Sequence, residues 1–480
     1  MAAQGRSPPY GRAPMRGMQA AQLLVMPRSF TRRDVLATAA AFAALPVPPA
    51  SAAGDYDVAI VGAGAAGLAA GRRIAQAGRS YVVLEAGARP GGRIASAAFA
   101  SGAVYDLGAN RFSAPARNPL VAVARAERMK LYEPSPGRRL YVGPREARDG
   151  EYDDFTAALR RANRTIAAVA ELGRDIAASR ALPELGDWQG TVAFVLGPLT
   201  AAKDLEEVST VDLSRAEDRP NDVMVREGTA ALVAAAAKSL SIEINTAVQR
   251  IDIGGRGRIE LGTSRGTLTA RTVIVTASTN VLLSDRIRFS PPLPAPHAAA
   301  LSRLSLGTYE RAIFELAGNP FRFGADERVI FKTNDSRTVM LHTRPGGGDF
   351  VYADLAGRFG RELANAGDAA VAAFLADEFA ARFGGGVKQA LGKVELTRWS
   401  KEPYVQGGFS AAAPGAAASR RVLMEPIADR LFLAGEAAHE TLWGTVAGAA
   451  LSGERAADAA LRYLGPAAQE PPPAKPGKRG

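Results

Sequence analysis

The sequence predicts an α/β protein: a parallel-sheet domain assembled from three separate stretches, interrupted by an α+β unit with an antiparallel sheet. Three observations predict it. An apolar run, Tyr56 to Val61, passes straight into Gly62, Gly64 and Gly67 and then into an Ala-rich stretch, the strand–turn–helix order of a βαβ unit. Short buried-strand patterns return at Ile242 to Ile244, Ala247 to Ile253 and Thr269 to Thr276. Between and beyond them lie a helical segment and four runs that alternate with period two.

Residues 1–52 read as a leader rather than fold. Ser29-Phe30-Thr31-Arg32-Arg33-Asp34-Val35-Leu36 resembles a twin-arginine export motif. Val35 to Val47 supplies an apolar core of about 13 residues, too short to span a bilayer, and Ala50-Ser51-Ala52 fits a small-residue cleavage site. The expectation is a periplasmic or secreted protein, carried out folded by the twin-arginine translocase, with Met26 a plausible start.

The first stretch of the parallel domain spans 55–113. Its glycines have separate tasks: Gly62 permits a tight turn, Gly64 lets a pyrophosphate reach the backbone, and Gly67 lets helix and strand pack closely. The helix start then offers free N–H groups to phosphate. Glu85 ends the next apolar run, about 20 residues beyond the glycines, where a carboxylate accepts from a ribose 2′-OH. These positions predict a dinucleotide. Arg89-Pro90-Gly91-Gly92-Arg93 resembles the RxGGR motif of FAD enzymes with the glutathione-reductase type of Rossmann-like fold, so the dinucleotide is expected to be FAD.

The remaining organisation follows the pattern. Residues 114–220 read as a helical part of the substrate domain, with Trp188, Phe194 and Leu196 as core or pocket-lining candidates. Residues 221–286 return to the FAD domain. Residues 287–400 carry the sheet, with Asn334-Asp335-Ser336 as a hairpin turn and Asp368 to Phe383 as a helix. Residues 401–465 close the FAD domain with a helix starting near Val446, and the Pro-rich 466–480 reads as a disordered tail. Net charge is +11, but only nine of the 59 basic residues are Lys, and no basic run interleaved with aromatics argues for nucleic acid. There is no Cys, and His297, His342 and His439 lack metal-ligand spacing; neither a metal site nor a Ser-His-Asp triad is expected. No segment predicts stable membrane insertion.

Taken together, these motifs resemble the flavin-dependent amine oxidases: monoamine and polyamine oxidases, the histone demethylases of that fold, and L-amino-acid oxidases. The resemblance runs from about Asp55 to Leu464. It rests on the glycine fingerprint with Glu85, on Gly91-Gly92-Arg93, on VREGTAALV, and on Val273 to Pro294. Arg398 to Ser410 and Leu431 to Ala457 complete it. It implies cofactor contacts at Gly62, Gly64, Ala65, Ala66, Gly67, Glu85, Ala86, Gly91, Gly92, Arg93, Gly108, Ala109, Val248, Gly435, Glu436, Thr445 and Val446. Val248 would hold adenine through its backbone, Gly435-Glu436 would meet the pyrophosphate and ribityl chain, and Thr445-Val446 would face the flavin's N1/O2 edge.

The resemblance further implies oxidative deamination of a small-molecule primary or secondary amine by hydride transfer to flavin N5, with O2 regenerating FAD and yielding H2O2. The departures from the family pattern bear on the substrate. Arg311 stands where members often have a Lys near N5, and a salt bridge to an acid on a neighbouring strand is an equal reading of it. Phe409 and Thr445 occupy the two cage-tyrosine positions, leaving half a cage, with Trp443 as a further substrate contact. Asn110-Arg111-Phe112 resembles the stretch whose Arg clamps a carboxylate in L-amino-acid oxidases. The alternatives are therefore an L-amino-acid oxidase clamping its substrate with Arg111, or a dehydrogenase or desaturase of the same fold with a non-oxygen acceptor.

Overall fold

Val58, Ala59, Ile60 and Val61 are almost fully buried because the strand Asp55–Val61 lies inside an eight-stranded sheet. Burying each Val or Ile there contributes roughly 1.5–3 kcal/mol. The computed structural model describes residues 54–135, 137–218, 221–255, 257–316, 318–385 and 391–466; the leader and the segment 467–480 lie outside them. Asp55–Val61 pairs in parallel with Tyr81–Leu84 on one side and Gly266–Val275 on the other. Ile242–Glu243 and Leu431–Leu433 extend the parallel core. Val248–Asp252, Ile259–Thr263 and Gly266–Val275 form an antiparallel meander on the same sheet.

The helix Ala65–Gln76 follows the first strand and packs against the last helix, Val446–Leu464. The approach is so close that a Cβ at Gly453 would overlap the Ala66 carbonyl oxygen. A Cβ at Gly67 would likewise overlap the Gly62 carbonyl oxygen, which is the close helix–strand packing expected of that glycine. Gly62 itself turns at φ +99°, in the region only glycine occupies without strain.

A second sheet of seven strands runs in the order Leu391–Leu396, Tyr309–Leu316, Phe350–Ala356, Met340–Thr343, Glu327–Phe331, Arg138–Val142, Arg145–Glu146. All its pairings are antiparallel except Glu327–Phe331 with Arg138–Val142. One face is apolar: Phe314, Val329, Phe331, Leu341, Val351 and Ala353 pack with the helices Gly357–Ala366 and Asp368–Phe383. The other face is polar. Arg311, Asp354, Met340 and Ile330 form one cross-strand row, and Arg138, Arg328, His342 and Tyr352 form the next.

The segment 114–220 is helical over Pro119–Ala126 and Asp149–Glu171, but it also contributes Arg138–Val142 and Arg145–Glu146 to this sheet. Arg138 lies on the face that lines the cavity and Arg139 on the other, which erases the apolar alternation a strand would otherwise show. Trp188 and Phe194 are core. Leu196, in the π-helical turn Val195–Leu199, borders the main cavity.

Candidate active site

One cavity of 1670 Å³ runs from the glycine turn to the polar face of the second sheet, larger than the ~300–1,000 Å³ of ordinary ligand pockets. Every expected cofactor contact except Gly67 lines it. Gly67 is turned to the strand instead. At the glycine turn the helix Ala65–Gln76 starts without a side-chain cap and without an acid in its first turn, so its leading N–H groups remain available to an anion. A Cβ at Gly64, or at Gly435, would meet nothing within 4 Å. The space beside both backbones is cavity.

Glu85 accepts from the Ala63 N–H at 2.8 Å and the Gly87 N–H at 2.7 Å. One protein donor sits on each carboxylate oxygen, which leaves a lone pair on each toward the cavity. Glu436 lines the cavity as well. Its carboxylate accepts from Arg93 Nη1 at 3.1 Å, Ser410 Oγ at 2.7 Å and the Gly444 N–H at 3.0 Å. Burial pushes this carboxyl up, but Arg93, Ser410 and Arg420 outweigh it and hold it below the usual range. The side chain therefore ties Arg93, Ser410 and the Gly444 backbone together beside the cavity.

Around the reaction end the expectations divide. Phe409 lines the cavity, with Tyr309 beside it at 5.5 Å between ring centroids. No motif in the sequence singles out Tyr309. It restores the second aromatic wall that Thr445 leaves out, from the sheet rather than from the last helix. Thr445 borders the cavity, but its hydroxyl donates to the Leu442 carbonyl at 2.6 Å and accepts from the Gly448 N–H at 2.9 Å, capping its own helix. Trp443 is a correction. It is fully buried under the Arg420 guanidinium, 4.9 Å from its ring centroid, and does not line the cavity. Trp399 lines it instead, its Nε1 donating to the Leu107 carbonyl at 3.1 Å.

Arg311 also reads differently from a mobile proton carrier. Its Nε lies 3.0 Å from Asp354 Oδ1, Nη1 donates to the Gly108 carbonyl at 3.0 Å, and the guanidinium lies over the Tyr352 ring at 4.3 Å. Burial lowers its pKa, but Asp354 outweighs that and the net shift is upward. Tyr309 donates to the other Asp354 oxygen at 2.9 Å. Arg311 is a fixed cation that positions the wall, the salt-bridge reading of that position.

Arg111 points the other way. Among the described residues its Nη2 is buried without a hydrogen-bond partner, as is Nδ2 of the adjoining Asn110, and both residues line the cavity. Burial, then the nearby Arg328, bring the Arg111 pKa down to about 10. The arrangement offers a glycine-and-helix cradle at one end, aromatic walls in the middle and an unpaired guanidinium beyond.

A family model described as flavin containing amine oxidoreductase matches residues 65–212 and 184–461. The chain belongs to this family. Its cofactor is FAD, and the bare backbones at Gly64 and Gly435, the uncapped helix start and the lone pairs of Glu85 fit that group. Among relatives, the Oryza sativa subsp. japonica protein "Lysine-specific histone demethylase 1 homolog 1" is 27% identical over 452 residues, covering 86% of this chain and 53% of that protein. The Mus musculus "Lysine-specific histone demethylase 1B" is 26% identical over 445 residues, covering 84% and 52%. This flavin amine oxidoreductase thus spans about half the length of those relatives. Two solved structures share its fold. Putrescine oxidase bound to putrescine has a TM-score of 0.72 at 18% identity, covering 85% of this chain and 99% of that one. Cyclohexylamine oxidase from Brevibacterium oxydans IH-35A has a TM-score of 0.73 at 19% identity, covering 86% and 100%.

Proposed function

We propose that this chain oxidatively deaminates an amine: a primary amine, O2 and water, one of each, give a carbonyl compound, ammonia and H2O2. The observation that carries the reading is the single cavity joining the dinucleotide cradle to the Tyr309–Phe409 walls. The backbones at Gly64 and Gly435 and the Glu85 carboxylate would hold FAD, which would supply the two-electron redox chemistry. The residues of the chain do the rest. Tyr309 and Phe409 flank the reacting carbon and exclude water. Asp354 holds the Tyr309 ring in place by accepting from its hydroxyl, and Arg311 pairs with the other Asp354 oxygen. The apolar surround favours the neutral amine, the form whose lone pair assists hydride loss.

A second reading is favoured by Arg111: the amine is an L-amino acid and the guanidinium takes its carboxylate through two parallel hydrogen bonds. Peroxide release on a panel of plain amines and L-amino acids tests both readings. Arg111→Ala is expected to lose activity on carboxylated substrates alone. Rapid anaerobic bleaching of the flavin with slow return in O2 would instead identify a dehydrogenase with another acceptor. The leader motif supports export in folded form, which N-terminal sequencing of periplasmic protein tests.

A further inference from the structure

Arg138 and Arg328 are direct partners on the two parallel strands, so both side chains leave the same face of the second sheet. Both line the cavity, and Arg111 lines it too. Like charges paired directly across strands destabilise a sheet. Here Arg328 lowers the pKa of both its neighbours, after burial in each case. Among the described residues, none of the three guanidinium groups reaches a carboxylate within ion-pair distance. The acids that act on Arg111 are Asp222 and Asp326, and Asp326 is already engaged by Tyr132, His342 and the Gly346 N–H. A surplus of positive charge on a cavity wall concentrates anions opposite it.

We propose that the Arg111–Arg328–Arg138 cluster is an anion subsite, and that the substrate is an amine carrying two carboxylates. One carboxylate meets Arg111 and the buried amide Nδ2 of Asn110, which is 5% exposed and unpartnered. The second meets Arg328 and Arg138, nearer the open side where Arg138 is exposed. Ile330 and Met340, on the strand row between this cluster and Asp354, give the carbon chain an apolar path back to the Tyr309–Phe409 walls. The product of the reaction above would be a keto diacid. This specificity rests on the amine-oxidation reading; the subsite itself does not.

The test uses purified flavin-loaded protein and calorimetric titration with two inert probes, glutarate and butyrate. Glutarate is expected to bind at least about tenfold more tightly than butyrate, the gain of one charge-assisted contact, and to weaken steeply with added salt. Arg328→Gln and Arg138→Gln should each erase most of that ratio without changing the flavin spectrum. Equal binding of glutarate and butyrate, or a ratio that survives the double variant, overturns the subsite. Anaerobic mixing with amino dicarboxylates forms the second arm, and bleaching by these at lower concentration than by monocarboxylates or plain amines supports the substrate class. The glutarate ratio without bleaching by any amine keeps the subsite and overturns amine oxidation instead.

Discussion

Asp354 is shared between Arg311 and Tyr309: Arg311 Nε meets Oδ1 at 3.0 Å while the Tyr309 hydroxyl meets Oδ2 at 2.9 Å. One buried carboxylate therefore fixes both a permanent cation and an aromatic wall of the cavity. Arg311→Met leaves that carboxylate buried and unpaired and is expected to cost about 3–5 kcal/mol, read by denaturant unfolding. Arg311→Lys keeps the charge but not the planar fork that reaches the Gly108 carbonyl, and should cost about 1–2 kcal/mol. Equal stability of the Met variant and wild type would show that the pair contributes nothing.

Two glycines three residues apart should respond to the same substitution in opposite ways. Gly67→Ala places a methyl against the Gly62 carbonyl and is expected to destabilise the fold by about 1–3 kcal/mol. Gly64→Ala meets no protein atom within 4 Å, so unfolding should be almost unchanged in the flavin-free protein. Its methyl instead occupies room a pyrophosphate needs, and FAD affinity should fall by about tenfold or more. Unfolding curves and flavin titration separate the two outcomes.

The Asp212–Arg420 pair is the most enclosed ion pair among the described residues, bidentate at 2.6 and 2.8 Å with both side chains almost wholly buried. From it a chain of contacts runs through Ser410 to Glu436 and Arg93. Asp212→Ala is expected to lose about 3–5 kcal/mol. Because Phe409 adjoins Ser410, it should also raise KM more than a surface substitution does. Steady-state kinetics beside thermal unfolding check both expectations.

His342 provides a pH signature. Burial, then the fields of Arg111 and Arg311, overcome Asp326 and bring its pKa down to about 4 from the ordinary 6.5. Between those values the unfolded chain holds a proton that the folded chain does not, so stability rises with pH across that window. It falls by about 3 kcal/mol as pH drops from 6.5 to 4 and changes no further from this group below that. His342→Gln should flatten that part of the stability–pH curve. A variant curve parallel to wild type would remove the assignment.

The sequence made the cofactor half legible because its constraints are local. A strand, three glycines and an acid at fixed spacing can be read within about 30 residues, and Gly62, Gly64 and Glu85 line one cavity. The substrate half is set by register between distant strands. Tyr309 reaches Phe409 across about 100 positions, and Arg138 meets Arg328 only through a parallel pairing that no local pattern announces. Trp443 escapes a sequence reading for a related reason. Its neighbours Gly444 and Thr445 do border the cavity, but its ring turns the other way, toward Arg420, and direction is a property of packing rather than of position in a motif.

The near-contact of Gly453 with Ala66 has a consequence for biosynthesis. The two helices that cradle the nucleotide come from opposite ends of the described chain. A ribosome that has released the first of them still has most of the polypeptide to make before the second emerges. The holder is therefore complete only in the finished chain, and a product that stops short of Leu431 carries only one side of it.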